Sequence, residues 1–440
     1  MKIKIWSFIM LISLLQLLPT SRVWASELKL DLRESISLAL RKNPQVLITE
    51  EERKIAEEKI VEARAAALPE AKATGQYTRL DTPSTYLGRA IGDEDNFSVN
   101  FGLEQSLYTG GKVWSALRIA GLYKAYSDLG SKLTRNQVTY QTKNGYYTIL
   151  FLRELVKIRQ ESVKLLEEHL DITRKKFEVG LVSNFEVLRA EVELANAKPP
   201  LIKARNQLGR TGDSFKKLLG LDLAVRLALE GNLSYVPERI IPLEDAIGIA
   251  DKERPDLGQQ KLIKKINEEQ LNIAKSGYKP KLSLFANYEG MSPESSSTNH
   301  DWGWGWNAGL KAEMPLFSGF ATKSQVSQSV IEMKKADIVY RDMKEEIKLE
   351  IRNSLDEIQE AIQTINSQEK NVEQAMEGLR IAEIRYKNEV SPQIEVMDAQ
   401  VALTAARVNH FQAIYDYEIA LAKLELAVGG DMADTRKTGE

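Results

Sequence analysis

The sequence predicts a mixed but mainly α-helical chain, internally duplicated, in which long coiled-coil hairpins alternate with short pairs of strands. Three observations carry that reading. Two segments 209 residues apart follow one plan, Arg174 to Asn196 and Arg385 to Arg407, with Phe177 matching Tyr386 and Glu186 matching Glu395. After each of two proline stops the hydrophobic period switches from helical to alternating. Beyond the strands, apolar residues recur every seven positions through stretches almost free of helix breakers. A repeat of this length is one structural unit written twice, so it governs every later assignment.

Composition narrows the class. The 440 residues are 43% hydrophobic and 28% charged, enough for a large core and against bulk disorder. Lys plus Arg (60) nearly balances Asp plus Glu (62), so no basic face for nucleic acid is implied. The chain has no Cys, which excludes disulfides, thiolate metal sites, Cys nucleophiles and a lipid anchor on an N-terminal cysteine.

Residues 1–25 read as an export signal. Lys2 and Lys4 precede the apolar run Ile5 to Leu18, and Val23-Trp24-Ala25 offers a cleavage site. The alternative is a membrane anchor, but about 14 apolar residues fall short of the roughly 20 that a spanning helix needs. No other run is long and apolar enough. If this protein crosses a membrane, it must do so with strands.

The first repeat is placed at residues 26–236 and the second at 237–430, with a polar tail at 431–440. Asp31, with Glu34 three residues on, caps a short amphipathic helix reaching Leu40. Asn43-Pro44 interrupts it, and a second helix runs to Leu68 and stops at Pro69. The second repeat echoes this at Pro242 to Ala246, with a break at Arg254-Pro255 and a stop at Lys279-Pro280. Pro44 and Pro255, Pro69 and Pro280, and Tyr77 and Tyr288 all share one offset of 211 residues.

Strand hairpins are expected at residues 69–107 and 280–316. Leu282, Leu284, Ala286 and Tyr288 alternate with Ser283, Phe285, Asn287 and Glu289. After a Ser-rich loop, Trp302, Trp304, Trp306, Ala308 and Leu310 alternate with Gly303, Gly305, Asn307, Gly309 and Lys311. Phe97, Val99, Phe101 and Leu103 do the same, more mildly, in the first repeat. A soluble sandwich also alternates. Three Trp in five residues on one face, in an exported chain, favour a lipid-facing barrel with a polar lumen. Four strands cannot close a barrel, and an open edge is not tolerated in lipid, so membrane-spanning strands would require oligomerisation.

Each second strand ends in a glycine reversal, Leu107 to Gly111 and Leu316 to Phe320, leading into helical hairpins at residues 112–219 and 321–428. Ala321 to Ile384 holds no Pro and one Gly, which implies a helix about 95 Å long. Ile351, Ile358, Ile365, Val372 and Leu379, with Leu355, Ile362 and Met376, form a coiled-coil seam; Phe151, Ile158, Leu165 and Ile172 are its first-repeat counterpart. Pro199-Pro200 interrupts the first returning helix and should kink it. The link from Gly220 to Pro242 is expected to be a small accessory layer.

Chemistry is sparse. His169, His300 and His410 stand apart from one another without metal spacing and read as solvated side chains. No serine elbow, phosphate loop or dinucleotide fingerprint is present. No catalysis, metal or cofactor is expected. A periplasmic coiled-coil scaffold without a pore is the alternative to a duct, and the Trp row argues against it.

The paired hairpin tips, Phe177-Glu-Val-Gly-Leu with Glu186-Val-Leu and Tyr386-Lys-Asn-Glu-Val with Glu395-Val-Met-Asp398-Ala-Gln, resemble those of the TolC-like outer-membrane efflux protein family. So do the strand-to-helix turns and the proline-bounded openings. The resemblance spans essentially the whole mature chain. It implies a homotrimer in the outer membrane of a Gram-negative-type cell, with three four-stranded contributions closing one twelve-stranded transmembrane barrel above a periplasmic α-barrel. It implies two partners, a periplasmic adaptor (membrane fusion protein) and an inner-membrane efflux pump or ABC transporter. Glu395 and Asp398, with Glu186, match the acidic constriction at the periplasmic tip, while Tyr386 and Phe177 match its gating contacts. Gly180, Ser183, Ser391 and Pro392 make the tip turns, Ser183 with Glu186 fitting a capping box. Trp302, Trp304 and Trp306 face outer-membrane lipid. The sequence departs in two places: Glu389 stands where the first tip has Gly180, and Ser391 where the family's best-known member uses a basic residue. The tip is expected to be held shut differently, or less firmly.

Overall fold

The structure is a computed structural model that describes residues 27–82, 85–86, 89–90, 94–292, 302–388 and 390–430. The export signal, the loop holding His300, Glu389 and the polar tail lie outside the described residues. In chain order the elements are β1 (Leu28–Leu30), α1 (Leu32–Lys42), α2 (Pro44–Ala65), β2 (Glu70–Arg79), β3 (Thr85–Tyr86), β4 (Arg89–Ala90), β5 (Asp95–Tyr108), α3 (Lys112–Glu178) and α4 (Asn184–Leu218). They continue with β6 (Leu227–Leu229), α5 (Leu243–Glu253), α6 (Pro255–Ser276), β7 (Lys281–Ser292), β8 (Gly303–Glu313), α7 (Ala321–Lys387) and α8 (Gln393–Val428).

The described elements fall into two compact units, each drawing on both halves of the sequence. Among the described residues, one draws on 27–42, 142–234 and 371–415; the other draws on 43–141, 235–370 and 416–430.

In the first unit, α1 begins with the reciprocal cap its sequence announces. Glu34 N–H donates to Asp31 Oδ1 at 2.7 Å, and Asp31 N–H donates to Glu34 Oε2 at 3.0 Å. The link after Gly220 contains a strand that sequence reasoning missed: β6 pairs in parallel with β1 through Leu28–Leu227 and Leu30–Leu229. Three-residue runs of Leu, Lys and Ala carry too little alternation to announce a strand. The link is held from α3, where Arg153 donates to the Leu229 carbonyl at 3.0 Å and the Tyr146 hydroxyl donates to that of Glu230.

Between α3 and α4 the core is Val163, Leu166 and Leu170 against Val187, Ala190, Leu194 and Leu201. Burying each large aliphatic side chain is worth about 2 kcal/mol. This corrects the expected seam. Leu165 and Ile172 are about half exposed, because the stripe turned toward α4 lies one and two residues away, at Leu166 and Leu170. The helix carries a second apolar stripe beside the packed one. Pro199 and Pro200 sit inside α4, which continues without interruption through both. Two lost backbone donors are carried by the intact hydrogen bonds on either side.

In the second unit, Asn43 caps α2, its side chain accepting from Gln45 N–H at 2.8 Å, with Pro44 in the first turn. The seam of α7 is deeply buried here, with Ile351 and Ile358 fully inaccessible and Ile365 nearly so; farther along, in the first unit, Met376 is exposed. Four strands make one antiparallel sheet in the order β2-β5-β7-β8, so the join between β5 and β7 stitches the two repeats together. Outside it, β3 and β4 pair as a small ribbon. The turns from strand to helix use left-handed backbone at Gly110, Gly111 and Gly319, and also at Phe320 with φ 66°, the one described non-glycine residue in that region.

Candidate functional site

The sheet has two chemically opposite faces. Cross-strand register puts Tyr77 opposite Phe97, Ala73 opposite Phe101, Phe101 opposite Tyr288 and Tyr288 opposite Trp306, all on one side. Strand residues alternate sides, so the other side collects Thr74, Asn100, Gly102, Asn287 and Asn307. The apolar face is dressed with aromatic contacts. Tyr288 stacks on Trp304 with centroids 5.1 Å apart and Trp302 on Trp304 at 6.0 Å, while Tyr77 meets Phe97 in a tilted contact at 4.9 Å. Trp304 lies flat over Gly290, where a Cβ would come within 2.9 Å of the indole; glycine leaves the ring its seat. On the polar face the Asn287 amide donates to Asn307 Oδ1 at 3.0 Å.

Trp306 is 78% exposed and Trp304 and Trp302 are also open. In water such a face would be an aggregation hazard; in a bilayer it is a lipid contact. The edges formed by β2 and β8 are unpaired in the single chain. No described helix is long and apolar enough to cross a membrane.

The hairpin tips belong to the first unit. After α3, Leu181 N–H donates to the Lys176 carbonyl at 2.8 Å and Gly180 N–H to that of Phe177 at 2.9 Å, with Gly180 at φ 78°. This is a Schellman stop, and its left-handed backbone favours glycine at that position. After α7 the matching bond runs from Val390 N–H to the Arg385 carbonyl at 2.9 Å. Ser183 takes the N-cap backbone geometry of α4, but its hydroxyl makes no capping bond; Glu186 N–H meets the Ser183 carbonyl instead at 3.1 Å. The capping box read from the sequence does not form. Pro392 sits just before α8, and its carbonyl accepts from Glu395 N–H at 3.2 Å.

Of the three acidic candidates, Asp398 is exposed on α8, while Glu186 and Glu395 are half-buried. Glu395 Oε2 lies 3.5 Å from the Arg385 guanidinium across the turn. Around the first tip Phe177, Val179, Leu181 and Phe185 are all exposed.

Tyr386 is drawn inward. The Lys176 ammonium lies 4.2 Å from the centre of its ring, and the His169 ring centre is 6.0 Å away. Here the expectation of a solvated His169 is overturned. The imidazole is partly buried between α3 and the second tip, hydrogen-bonded to the Gln393 amide, and burial together with Lys176 holds its pKa below the ordinary 6.5. Gln393 also donates to Thr173 Oγ1 at 3.2 Å, and Thr173 is fully buried. Ser391 and Gln400 are buried as well. Sequence reasoning missed this polar cluster. A signal existed: Gln393, Met397, Gln400 and Thr404 fall on coiled-coil seam positions, where an amide is a marked residue.

An antiparallel sheet with one aromatic and one amide-lined face, carried by a chain of long coiled-coil hairpins, defines the class: a subunit of an outer-membrane channel. The chain belongs to the outer membrane efflux protein family, whose model matches residues 35–221 and 246–430. Its relatives include the outer membrane protein TolC of Escherichia coli, 25% identical over 88% of this chain and 80% of that protein. Another is the alkaline protease secretion protein AprF of Pseudomonas aeruginosa, 20% identical over 91% of this chain and 84% of the relative. Among solved structures, the Campylobacter jejuni CmeC outer membrane channel matches with a TM-score of 0.79 at 19% identity, covering 92% of this chain and 88% of that one. Vibrio cholerae VceC matches with a TM-score of 0.77 at 18% identity, over 91% of this chain and 96% of its own.

Proposed function

We propose that this protein is the exit duct of a tripartite efflux or type I secretion system. It conducts substrates passively from an inner-membrane pump and its periplasmic adaptor to the outside. The observation that carries this reading is the four-stranded sheet, apolar on one face, polar on the other and open at both edges. Lipid does not tolerate an unpaired edge, so the sheet must find strands from other copies; three copies supply twelve. Trp302, Trp304 and Trp306 then meet lipid, and Asn100, Asn287 and Asn307 line the lumen. Glu395 and Asp398, with Glu186, are the acidic groups of the narrow periplasmic entrance. Phe177 and Tyr386 belong to its gating contacts. The exposed apolar side chains of the first tip offer the adaptor a surface. The pump supplies the energy, and the duct performs no chemistry.

The test is fractionation with native and heat-denatured electrophoresis. The duct reading expects a heat-modifiable trimer in the outer-membrane fraction, conducting in planar bilayers. Soluble monomer would sink it.

A further inference from the structure

We infer that His169 and Gln393 form a proton-sensitive latch that holds the second hairpin tip against the first and releases it on acidification. The inference rests on the duct reading for its physiological meaning, but not for its chemistry.

The bonding pattern as it stands fits a neutral imidazole. An amide nitrogen can only donate, so Gln393 Nε2 requires His169 Nε2 to accept, which makes the imidazole neutral with its proton on Nδ1. The second amide hydrogen goes to Thr173 Oγ1 at 3.2 Å. That hydroxyl has already committed its own proton to the His169 carbonyl at 2.9 Å. Accommodating an imidazolium requires a rearrangement: the amide must turn over so that Gln393 Oε1 accepts from the ring, and the Thr173 hydroxyl must swing its proton from the His169 carbonyl to that oxygen. The cluster is tuned to neutral histidine.

Burial and one like charge oppose the charged form. On α3, His169 shares its face with the Lys176 ammonium, which acts on it as a like charge. From α7 comes Tyr386, a neutral phenol whose ring Lys176 already covers. From α8 comes Gln393, only 4% exposed. The carboxylate of Glu395 is engaged with Arg385 at 3.5 Å across the turn. The latch also has spare bonding capacity: the Tyr386 and Ser391 hydroxyls and Gln393 Oε1 are buried and find no protein partner among the described residues. Each such group gains a partner when water reaches the opened tip, which favours release.

The sign follows from linkage. The closed state holds the imidazole below its ordinary 6.5, while an opened, hydrated tip restores that value. The open form therefore takes up the proton first, and opening is favoured as pH falls through about 6.5. One pH unit lower, the equilibrium shifts by up to about tenfold per subunit.

Amide hydrogen exchange on the full-length assembled protein, corrected for intrinsic pH dependence, reads this directly. Peptides covering residues 384–400 should lose up to about tenfold protection between pH 7.5 and 5.5. In His169→Gln, which keeps a neutral acceptor, the pH response should vanish; in His169→Lys the loss should already be present at pH 7.5. Peptides from residues 201–218 report whether each variant is folded, and His169→Asn replaces His169→Gln if it is not. An unchanged wild-type tip, or the same loss in the neutral variants, overturns the latch. Planar-bilayer conductance measured alongside separates the two readings. A tip that loosens with no conducting channel leaves the latch standing and removes the duct.

Discussion

Gly220 stands so close to the end of α1 that a Cβ built on it would lie 2.4 Å from the Lys42 carbonyl oxygen. It also has φ 66° and closes α4 by a Schellman pair, Leu221 N–H to the Lys216 carbonyl at 2.9 Å and Gly220 N–H to that of Lys217 at 3.1 Å. Two independent demands therefore require glycine. Gly220→Ala should cost about 3 kcal/mol, part from left-handed backbone and part from overpacking. Gly209→Ala, in the exposed middle of the same helix with nothing within 4 Å, should be neutral or stabilising by up to about 1 kcal/mol. Thermal denaturation of the two variants decides; equal melting temperatures would contradict the packing described.

The two faces of β8 predict opposite tolerance at adjacent residues. Trp306→Lys places a charge on the apolar face and should cost about 2–4 kcal/mol near the bilayer midplane, falling toward the interface. Asn307→Lys, one residue on, points to the amide-lined side and should insert normally. The amount of folded, heat-modifiable protein in outer membranes is the measurement. Equal loss in both would mean the sheet is not embedded with this face outward.

The two faces were fully legible in the sequence, because alternation with period two needs only one strand at a time. The joining of β5 to β7 was not, since register between distant strands depends on pairing that no local pattern encodes. Helix ends were legible where a side chain acts on its own backbone, as Asp31 and Asn43 do. They were not where backbone served instead, as at Ser183. The seam of α3 shows a different limit. Leu165 and Leu166, or Ile172 and Thr173, are neighbours on the helix, and heptad spacing alone fits either register. Only the partner helix selects one. His169 escaped notice because a histidine's neighbours in space, Gln393 and Tyr386, lie more than 200 residues away in sequence.

Arg118 grips Glu269 with two hydrogen bonds of 2.7 Å each, tying α3 to α6 in the second unit. That grip lowers the Glu269 carboxyl from 4.5 to about 2. A depressed carboxylate stabilises the fold above its unfolded value and loses that contribution as pH falls from about 4.5 toward about 2. Arg118→Ala should therefore melt earlier than the wild type at neutral pH, and the gap should close below pH 4.5. The effect stays modest, because the arginine is half exposed and salt screens it. A gap independent of pH would assign the loss to packing of the arginine stem instead.

The proposed entrance role of the tip carboxylates can be tested by ion selectivity. Asp398 is exposed and unmatched by any described ion pair, whereas Glu395 shares its charge with Arg385 at 3.5 Å. The two carboxylates should then contribute unequally. On the proposed placement, three copies around a narrow entrance would set three uncompensated Asp398 charges at close range, where low-dielectric walls strengthen their field. Replacing Asp398 by Ala should weaken cation preference and block by multivalent cations more than replacing Glu395 does. The double replacement should largely abolish both effects. Arg385→Ala should do the reverse, freeing Glu395 and strengthening cation preference. Reversal potentials in asymmetric salt across planar bilayers measure each case, and potentials identical to the wild type in all four variants would remove these residues from the pore.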